Sequence, residues 1–401
     1  MNRGTGASPG ELISSRRIVV CVGAGGVGKT TLAAALALGA ARRGKRALVL
    51  TIDPARRLAG ALGLGEISHE PQLISQSILE GLGVPESGSL EAMMLDMKRT
   101  FDDLVDRFAD DAAARERILL NPIYQHVSDA LAGSAEYSAM EKVYELSQRD
   151  DLDLIVLDTP PSQHALDFLE APERLIGLLD SRLVQVLLHP AFEGARFGFR
   201  LWGRGLHQVF RVLERVSGFS FLEDVSEFLL AFEGMSEGFR ERARQVRALL
   251  FGPQTAFVLV AGPADESVAH AVQFLERLES SGARVEGLVL NRIRVWPDGR
   301  PCEPKPEQQA EARAILAEAL AADADPGFPA EEAAEAALCI LHGYASMVRR
   351  DERATGALID RARRSGFFVR RVPEFERDVH DLDGLARIER FVFEEVPGSE
   401  S

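Results

Sequence analysis

Cysteine is scarce. The 401-residue chain has three, Cys21, Cys302 and Cys339, and no two form a CxxC pair. That excludes a disulfide framework and a Cys-rich zinc site and fits a reducing compartment, so a cytoplasmic location is expected. Long apolar runs are missing as well. No stretch of about 18 apolar residues is free of charge, so no membrane-spanning helix is expected. The opening MNRGTGASPGELISSRR lacks the apolar core of a secretory signal, and its Gly, Ser and Pro predict a disordered tail over 1–14. Basic charge is in deficit, with 46 Lys and Arg against 61 Asp and Glu, a net charge of −15. Such a balance argues against nucleic acid as a partner and against docking on an anionic membrane. Nearly half of the excess lies in residues 301–340, where nine acids face only Lys305 and Arg313. A solvated helical face accounts for it better than a binding tail.

What is present is a chain rich enough in apolar residues, 46%, to build a large core. Six short runs stand out: Arg17–Val22, Arg46–Ile52, Leu152–Asp158, Thr255–Ala261, Val285–Leu290 and Phe367–Val372. Most are apolar throughout rather than alternating, which is how strands covered on both faces of a parallel sheet read. Helical patterns separate them. The predicted class is therefore α/β, a doubly wound, mostly parallel sheet. The gaps between strands are too long for simple crossovers. They predict one domain over 15–401 with helical insertions at about 70–150, 172–250 and 297–365, the last one acidic. Ten of the 21 Phe fall within residues 190–251, partly at helical spacing. This region reads either as a helical subdomain packing its own core or as an apolar groove for a client.

The sharpest signal is Gly23-Ala24-Gly25-Gly26-Val27-Gly28-Lys29-Thr30, a full G-x-x-x-x-G-K-[ST] placed between a buried-type strand and a helix. Glycines let the backbone wrap around phosphate oxygens with its N–H groups pointing inward, and the helix start adds its positive end. Lys29 is positioned to neutralise the β- and γ-phosphates and the Thr30 hydroxyl to ligate Mg²⁺. Asp158 closes a buried strand, where an acid faces the ligand crevice of such a sheet and can hold Mg²⁺, usually through water. A turn-forming Asp before Thr159-Pro160-Pro161 is the simpler alternative. Asp53, just past another strand end in TIDPARRL, can orient or deprotonate an attacking water, or merely start a helix.

Together these residues resemble the ArsA-type ATPases, within the wider group that holds the ParA and MinD partitioning ATPases. The resemblance rests on GVGKTT (Gly26–Thr31), Asp53-Pro54-Ala55, and Asp158-Thr159 with Pro161 and His164. It extends to Glu136 and Met140, to Asn291 at a strand end, and to the closing VPEFERDVHDLDGL. It implies an ATP- and Mg²⁺-dependent homodimer that opens and closes with its nucleotide. Gly23, Gly25, Gly26, Val27, Gly28, Lys29, Thr30 and Thr31 would hold the phosphates. Asp53 would activate water, with Lys29 at the reacting phosphate, and Thr30 and Asp158 would hold the metal. Asn291 would read adenine, with the backbone near Pro373 over the base, and His164 would belong to a switch.

Two departures stand against that pattern. The family motif usually carries lysine where this chain has Ala24; Arg56, Arg57 and Arg292 are the candidate replacements. The clustered thiolates of a metalloid site and the paired CxxC of a zinc clamp are both missing, so neither an arsenite nor a zinc site is expected. The sequence supports an Mg-dependent ATPase acting on a partner or client. It also admits an ATP-gated chaperone or regulator with slow turnover. A ParA- or MinD-like positioning ATPase fits less well, because the chain ends in acidic IERFVFEEVPGSES rather than a basic amphipathic helix.

Overall fold

A computed structural model describes residues 8–52, 57–64, 67–122, 124–125, 134–159, 177, 235–296, 303–322, 324, 328–379 and 381–394. In chain order, α1 (Pro9–Ser15), β1 (Ile18–Gly23), α2 (Lys29–Ala41), β2 (Arg46–Thr51) and α3 (Arg57–Ala61) come first. Next are β3 (Gln72–Leu73), α4 (Gln76–Gly81), β4 (Ser89–Met94), α5 (Met97–Phe108), α6 (Ala112–Leu120), α7 (Ser134–Ser147) and β5 (Leu154–Asp158). After residue 234 follow α8 (Ser236–Leu250), β6 (Thr255–Ala261), α9 (Asp265–Ser281), β7 (Val285–Ile293), α10 (Gln309–Ala322), α11 (Ala330–Arg364), β8 (Phe368–Pro373) and α12 (Leu382–Phe393).

The strands form one eight-stranded sheet, in the order β3-β4-β2-β5-β1-β6-β7-β8. Every neighbouring pair is parallel except β3 with β4. The α/β class expected from the sequence is the observed one. Residue alternation sends Ile18, Val20 and Val22 of β1 into one core and Val19 and Cys21 into the other, so helices cover both faces. On the second face lies α2, buried along nearly its whole length between the sheet and α12. Its small residues allow the close approach: a Cβ on Gly39 would overlap the Phe393 ring. Arg42 and Arg43, at the end of α2, both pair with the buried Glu389 of α12, at 2.6 and 2.9 Å. No helix among the described residues is long and apolar enough to cross a membrane.

Two expectations change. The disordered tail predicted over 1–14 does not include residues 9–15, which form α1. Ser8 and Glu11 cap it reciprocally, Pro9 presets its first turn, and Leu12 and Ile13 are buried in the core with α2. The predicted helical insertion at about 70–150 is not helical throughout. It contains β3 and β4, and β4 extends the sheet beside β2. The β4 segment, SLEAMM, has no β-branched residue, and its strand character comes from pairing rather than propensity. Of the Phe-rich stretch 190–251, residues 190–234 lie outside the described residues. Within the remainder, Phe239 is buried, with its ring 5.5 Å from that of Phe108.

If α1 is an integral part of the core, truncating its anchor is costly. Leu12→Ala is expected to destabilise the fold by about 2–5 kcal/mol, as buried Leu truncations do. Urea unfolding checks this; an unchanged midpoint would mean that α1 contributes nothing.

Candidate functional site

The site lies at the carboxyl ends of β1, β5, β6 and β7. There the chain leaves β1 for helices on one face of the sheet and β6 for helices on the other, the usual ligand crevice of an open α/β sheet. The loop Gly23–Gly28 carries the chain from β1 into α2. Gly28 is its tightest point: φ is +92° and a Cβ would overlap the Asn291 amide, so two independent constraints demand glycine. The Asn291 Nδ2 donates to the Val27 carbonyl at 2.8 Å and braces the loop from β7. Lys29 is buried, and its Nζ donates to the Ala24 carbonyl at 2.9 Å, so the ammonium lies over the loop it follows.

Asp158 ends β5 in register with Cys21 of β1 and Thr51 of β2. Its Oδ2 accepts the Thr30 hydroxyl at 2.6 Å and the Thr51 hydroxyl at 2.9 Å. The next residue, Thr159, donates its hydroxyl to the Cys21 carbonyl at 2.7 Å and fixes the direction in which the chain leaves the strand. Beneath this group, burial pushes the Cys21 thiol far above its ordinary pKa; the Asp158 carboxylate adds to the shift and Lys29 opposes it. The thiol is therefore inert, as a buried structural cysteine should be.

A cavity of about 660 Å³ opens beside the loop, lined by Gly26, Gly28, Lys29, Thr30, Asn291 and Pro373 among others. That volume suits a nucleotide-sized ligand. Thr31 lines it as well. A second cavity, of about 450 Å³, lies against the outer side of Gly25, Gly26 and Val27. The Thr30 and Asp158 oxygens are hard donors side by side, without sulfur or imidazole, which is the chemistry Mg²⁺ selects. Among the described residues no cluster of three or more His, Cys, Asp or Glu side chains can hold a metal. A magnesium ion needs none, since phosphate oxygens and water complete its shell.

Sequence reasoning assigned Gly23, Gly25, Gly26, Val27, Gly28, Lys29, Thr30, Thr31, Asp158, Asn291 and Pro373 to one site; Gly26, Gly28, Lys29, Thr30, Thr31, Asn291 and Pro373 line the larger cavity, and Gly25 and Val27 line the smaller one. Asp53, Arg56 and His164 lie outside the described residues, as do the side chains of Arg57 and Glu136; Met140 is part of the core. Arg292 stands at the rim of both cavities and pairs with Asp378 at 3.1 Å. Sequence reading missed two features and named a third, the closing VPEFERDVHDLDGL stretch, without giving its loop residues a place in the cavity. Thr51 is a second hydroxyl on Asp158, signalled only as the polar end of RALVLT. Arg292 has φ +58°, the left-handed region, where the β7–β8 register shifts; no sequence signal marks this. The loop Glu374–Val379 supplies Phe375, Asp378 and Val379 to the larger cavity.

The model of the anion-transporting ATPase (ArsA ATPase) family matches residues 16–318. The chain is 25% identical over 290 residues to ATPase GET3 of Malassezia globosa, covering 72% of this chain and 76% of that protein. ATPase GET3 of Aspergillus terreus is 25% identical over 284 residues, 70% of this chain and 74% of its own length. A protein of Halobacterium salinarum named as an arsenical pump-driving ATPase is 29% identical over 168 residues, 42% of this chain but only 26% of its own length.

Gly28→Ala is expected to lower nucleotide affinity at least about tenfold, since the Cβ strains the backbone and displaces Asn291. Titration with a fluorescent ATP analogue reads this. In the native protein a thiol reagent at pH 8 should modify the exposed Cys339 and spare Cys21 until denaturant is added. Early modification of Cys21, located by peptide mapping, would contradict its burial.

Proposed function

The chain belongs to the anion-transporting ATPase family, and on that premise we propose that it binds ATP with Mg²⁺, hydrolyses it, and works in the cytoplasm as a homodimer acting on a protein client. The observation that carries the reading is the 2.6 Å hydrogen bond from Thr30 to Asp158 at the edge of the nucleotide-sized cavity. It joins the end of the phosphate loop to the acid at the end of β5. That is the pairing of hydroxyl and carboxylate a P-loop ATPase uses to hold its metal.

In this reading the loop N–H groups and Lys29 hold the β- and γ-phosphates. Thr30 and Asp158 would hold Mg²⁺, which would neutralise charge on the phosphate oxygens. Asn291 and the backbone at Pro373 border the base. Asp53 positions a water for attack on the γ-phosphorus and accepts its proton; the bond to the β–γ bridging oxygen breaks, and ADP leaves with that electron pair. Little covalent chemistry falls to the protein, so its contribution is positioning and charge. The Phe-rich region 190–251 is the proposed client surface. No arsenite or zinc chemistry and no nucleic acid enters the reading.

Lys29→Ala is expected to reduce turnover by at least about a hundredfold, the scale of losing one charge-stabilising group. Asp53→Asn is expected to abolish turnover while ATP binding persists. A phosphate-release assay paired with nucleotide titration separates the two. Persistent turnover in both variants would remove Lys29 and Asp53 from the machinery, and absence of turnover in the wild-type chain would remove the ATPase reading. Loss of turnover in Asp53→Asn with a client retained would favour a nucleotide-gated binding module.

A further inference from the structure

Helix α11 is 35 residues long, which at 1.5 Å per residue is about 52 Å. One side of it is engaged. Ala334, Leu338, Ala345 and Val348 are buried, and α10 packs alongside. His342 lies 3.2 Å from Gln309, and the Tyr344 hydroxyl donates to the Val295 carbonyl at 2.7 Å. The other side is open among the described residues. Ala336, Cys339, Ile340, Gly343 and Met347 recur there at helical spacing, all exposed, with Ile340 at 73%. Residues 336–348, AALCILHGYASMV, contain no Asp, Glu, Lys or Arg. A helix otherwise dense in charge thus keeps an apolar stripe turned outward, the pattern of an interaction surface.

The ends of the stripe decide what fits it. Glu332 and Glu335 stand at one end and Arg350 and Arg353 at the other, while Glu331 is paired with Arg313, Arg349 with Glu303, and Glu352 falls on the opposite side of the helix from the stripe. Among the described residues Glu332 and Glu335 enter no ion pair, and Arg350 has only a loose one, 3.7 Å to a well-exposed Asp265. A partner of uniform charge meets repulsion at one end. A second copy of α11 lying antiparallel meets the opposite charge at both. With a twofold axis beside Ile340 and Leu341, Glu332 lies opposite Arg350 of the copy, Cys339 opposite Gly343, and Ile340 close to its own counterpart. Contacts then repeat reciprocally, as an isologous interface requires. Two crossed helices alone bury less than the roughly 1,200–2,000 Å² of a stable interface. The stripe, however, does not stop at the helix: Met347 and Arg350 line the 450 Å³ cavity against Gly25, Gly26 and Val27.

We propose that the exposed face of α11 is the twofold seam between two copies of this chain, running from the acidic start of the helix to the outer side of the phosphate loop. The proposal rests on the homodimer reading above and names the surface that makes the dimer. It puts Glu332 of one copy on Arg350 of the other, at the edge of the phosphate-loop cavity, so that dimer contact and loop share a boundary.

The test is the mass of the full chain by sedimentation, with and without a non-hydrolysable ATP analogue. Ile340→Glu sets two acids against each other on the axis and should weaken self-association at least about tenfold. Because Ile340 is exposed, the variant should keep the wild-type melting temperature and nucleotide affinity. Arg350→Glu should weaken the dimer, and Arg350→Glu combined with Glu332→Arg should restore it. A thiol-specific bismaleimide should link Ile340→Cys, in a Cys339→Ser background, into covalent dimers. A wild-type dimer that both Ile340→Glu and the charge swap leave intact would overturn the seam while the homodimer reading stands. A wild-type chain that stays monomeric under every nucleotide condition would overturn both.

Discussion

A carboxylate with almost no solvent around it must be paired or strongly hydrogen-bonded, because leaving its charge uncompensated costs more than any single packing contact returns. Asp158 is in that position. It ends β5 between β1 and β2, and its neighbours are dictated by sheet register: Cys21 on one side, Thr51 on the other. Hydrogen bonds to a charged group are worth about 1.5–3 kcal/mol each, so the Thr30 and Thr51 hydroxyls give the carboxylate part of what burial takes away. The Thr30 bond has a further consequence. It fixes the first turn of α2, and hence the direction of the loop N–H groups, relative to a strand that the rest of the sheet holds still. Phosphate loop, Asp158 and sheet are one rigid unit because one oxygen is shared by two hydroxyls from different elements.

The two faces of the sheet treat that unit differently. On one face α2 is enclosed, with Gly39 against Phe393 and Arg42 and Arg43 on Glu389, and little room remains for it to move. On the other face α7 and α8 meet through the buried pair Glu141 and Arg242, at 2.7 Å, with the guanidinium 3.9 Å over the Tyr144 ring. Burial holds the Glu141 carboxyl above its ordinary pKa even though Arg242 opposes the shift. Such a pair adds little net stability compared with apolar side chains of the same size, but it tolerates one arrangement only, since separating the charges strands both. These helices flank the chain from Asp158 to Met235, so the pair fixes the frame from which that segment departs.

How much was legible follows the same physics. The six expected strands correspond to β1, β2, β5, β6, β7 and β8, because β-branched, fully apolar runs have few alternative structures. The phosphate loop was legible because glycine spacing expresses a steric requirement directly, as Gly28 shows with its φ of +92° and the Asn291 amide beside it. What escaped had no local signal. The strand SLEAMM is made by its partner β2. Helix α1, in a segment rich in Gly, Ser and Pro, depends on a reciprocal cap and on two side chains whose pocket is built by residues far along the chain. The Asn291 bond to Val27 crosses 264 positions, and the Thr51 bond to Asp158 crosses 107. Composition and periodicity are silent about such pairings.

Charge ties the global and local pictures together. A chain of net charge −15 that handles an anion must build its own favourable field at short range, because bulk charge is screened beyond about 10 Å at ordinary ionic strength. The phosphate loop does this with oriented N–H groups, a helix start and Lys29, while most of the acidic excess sits elsewhere. Helix α11 carries both signs: Glu331, Glu332 and Glu335 at its start, then an uncharged segment, then Arg349, Arg350 and Asp351, with Arg350 and the Arg294-paired Asp351 both lining the cavity against the loop. The exposed charges of α11, Glu332 at one end and Arg350 at the other, give it two ends that its own reverse matches.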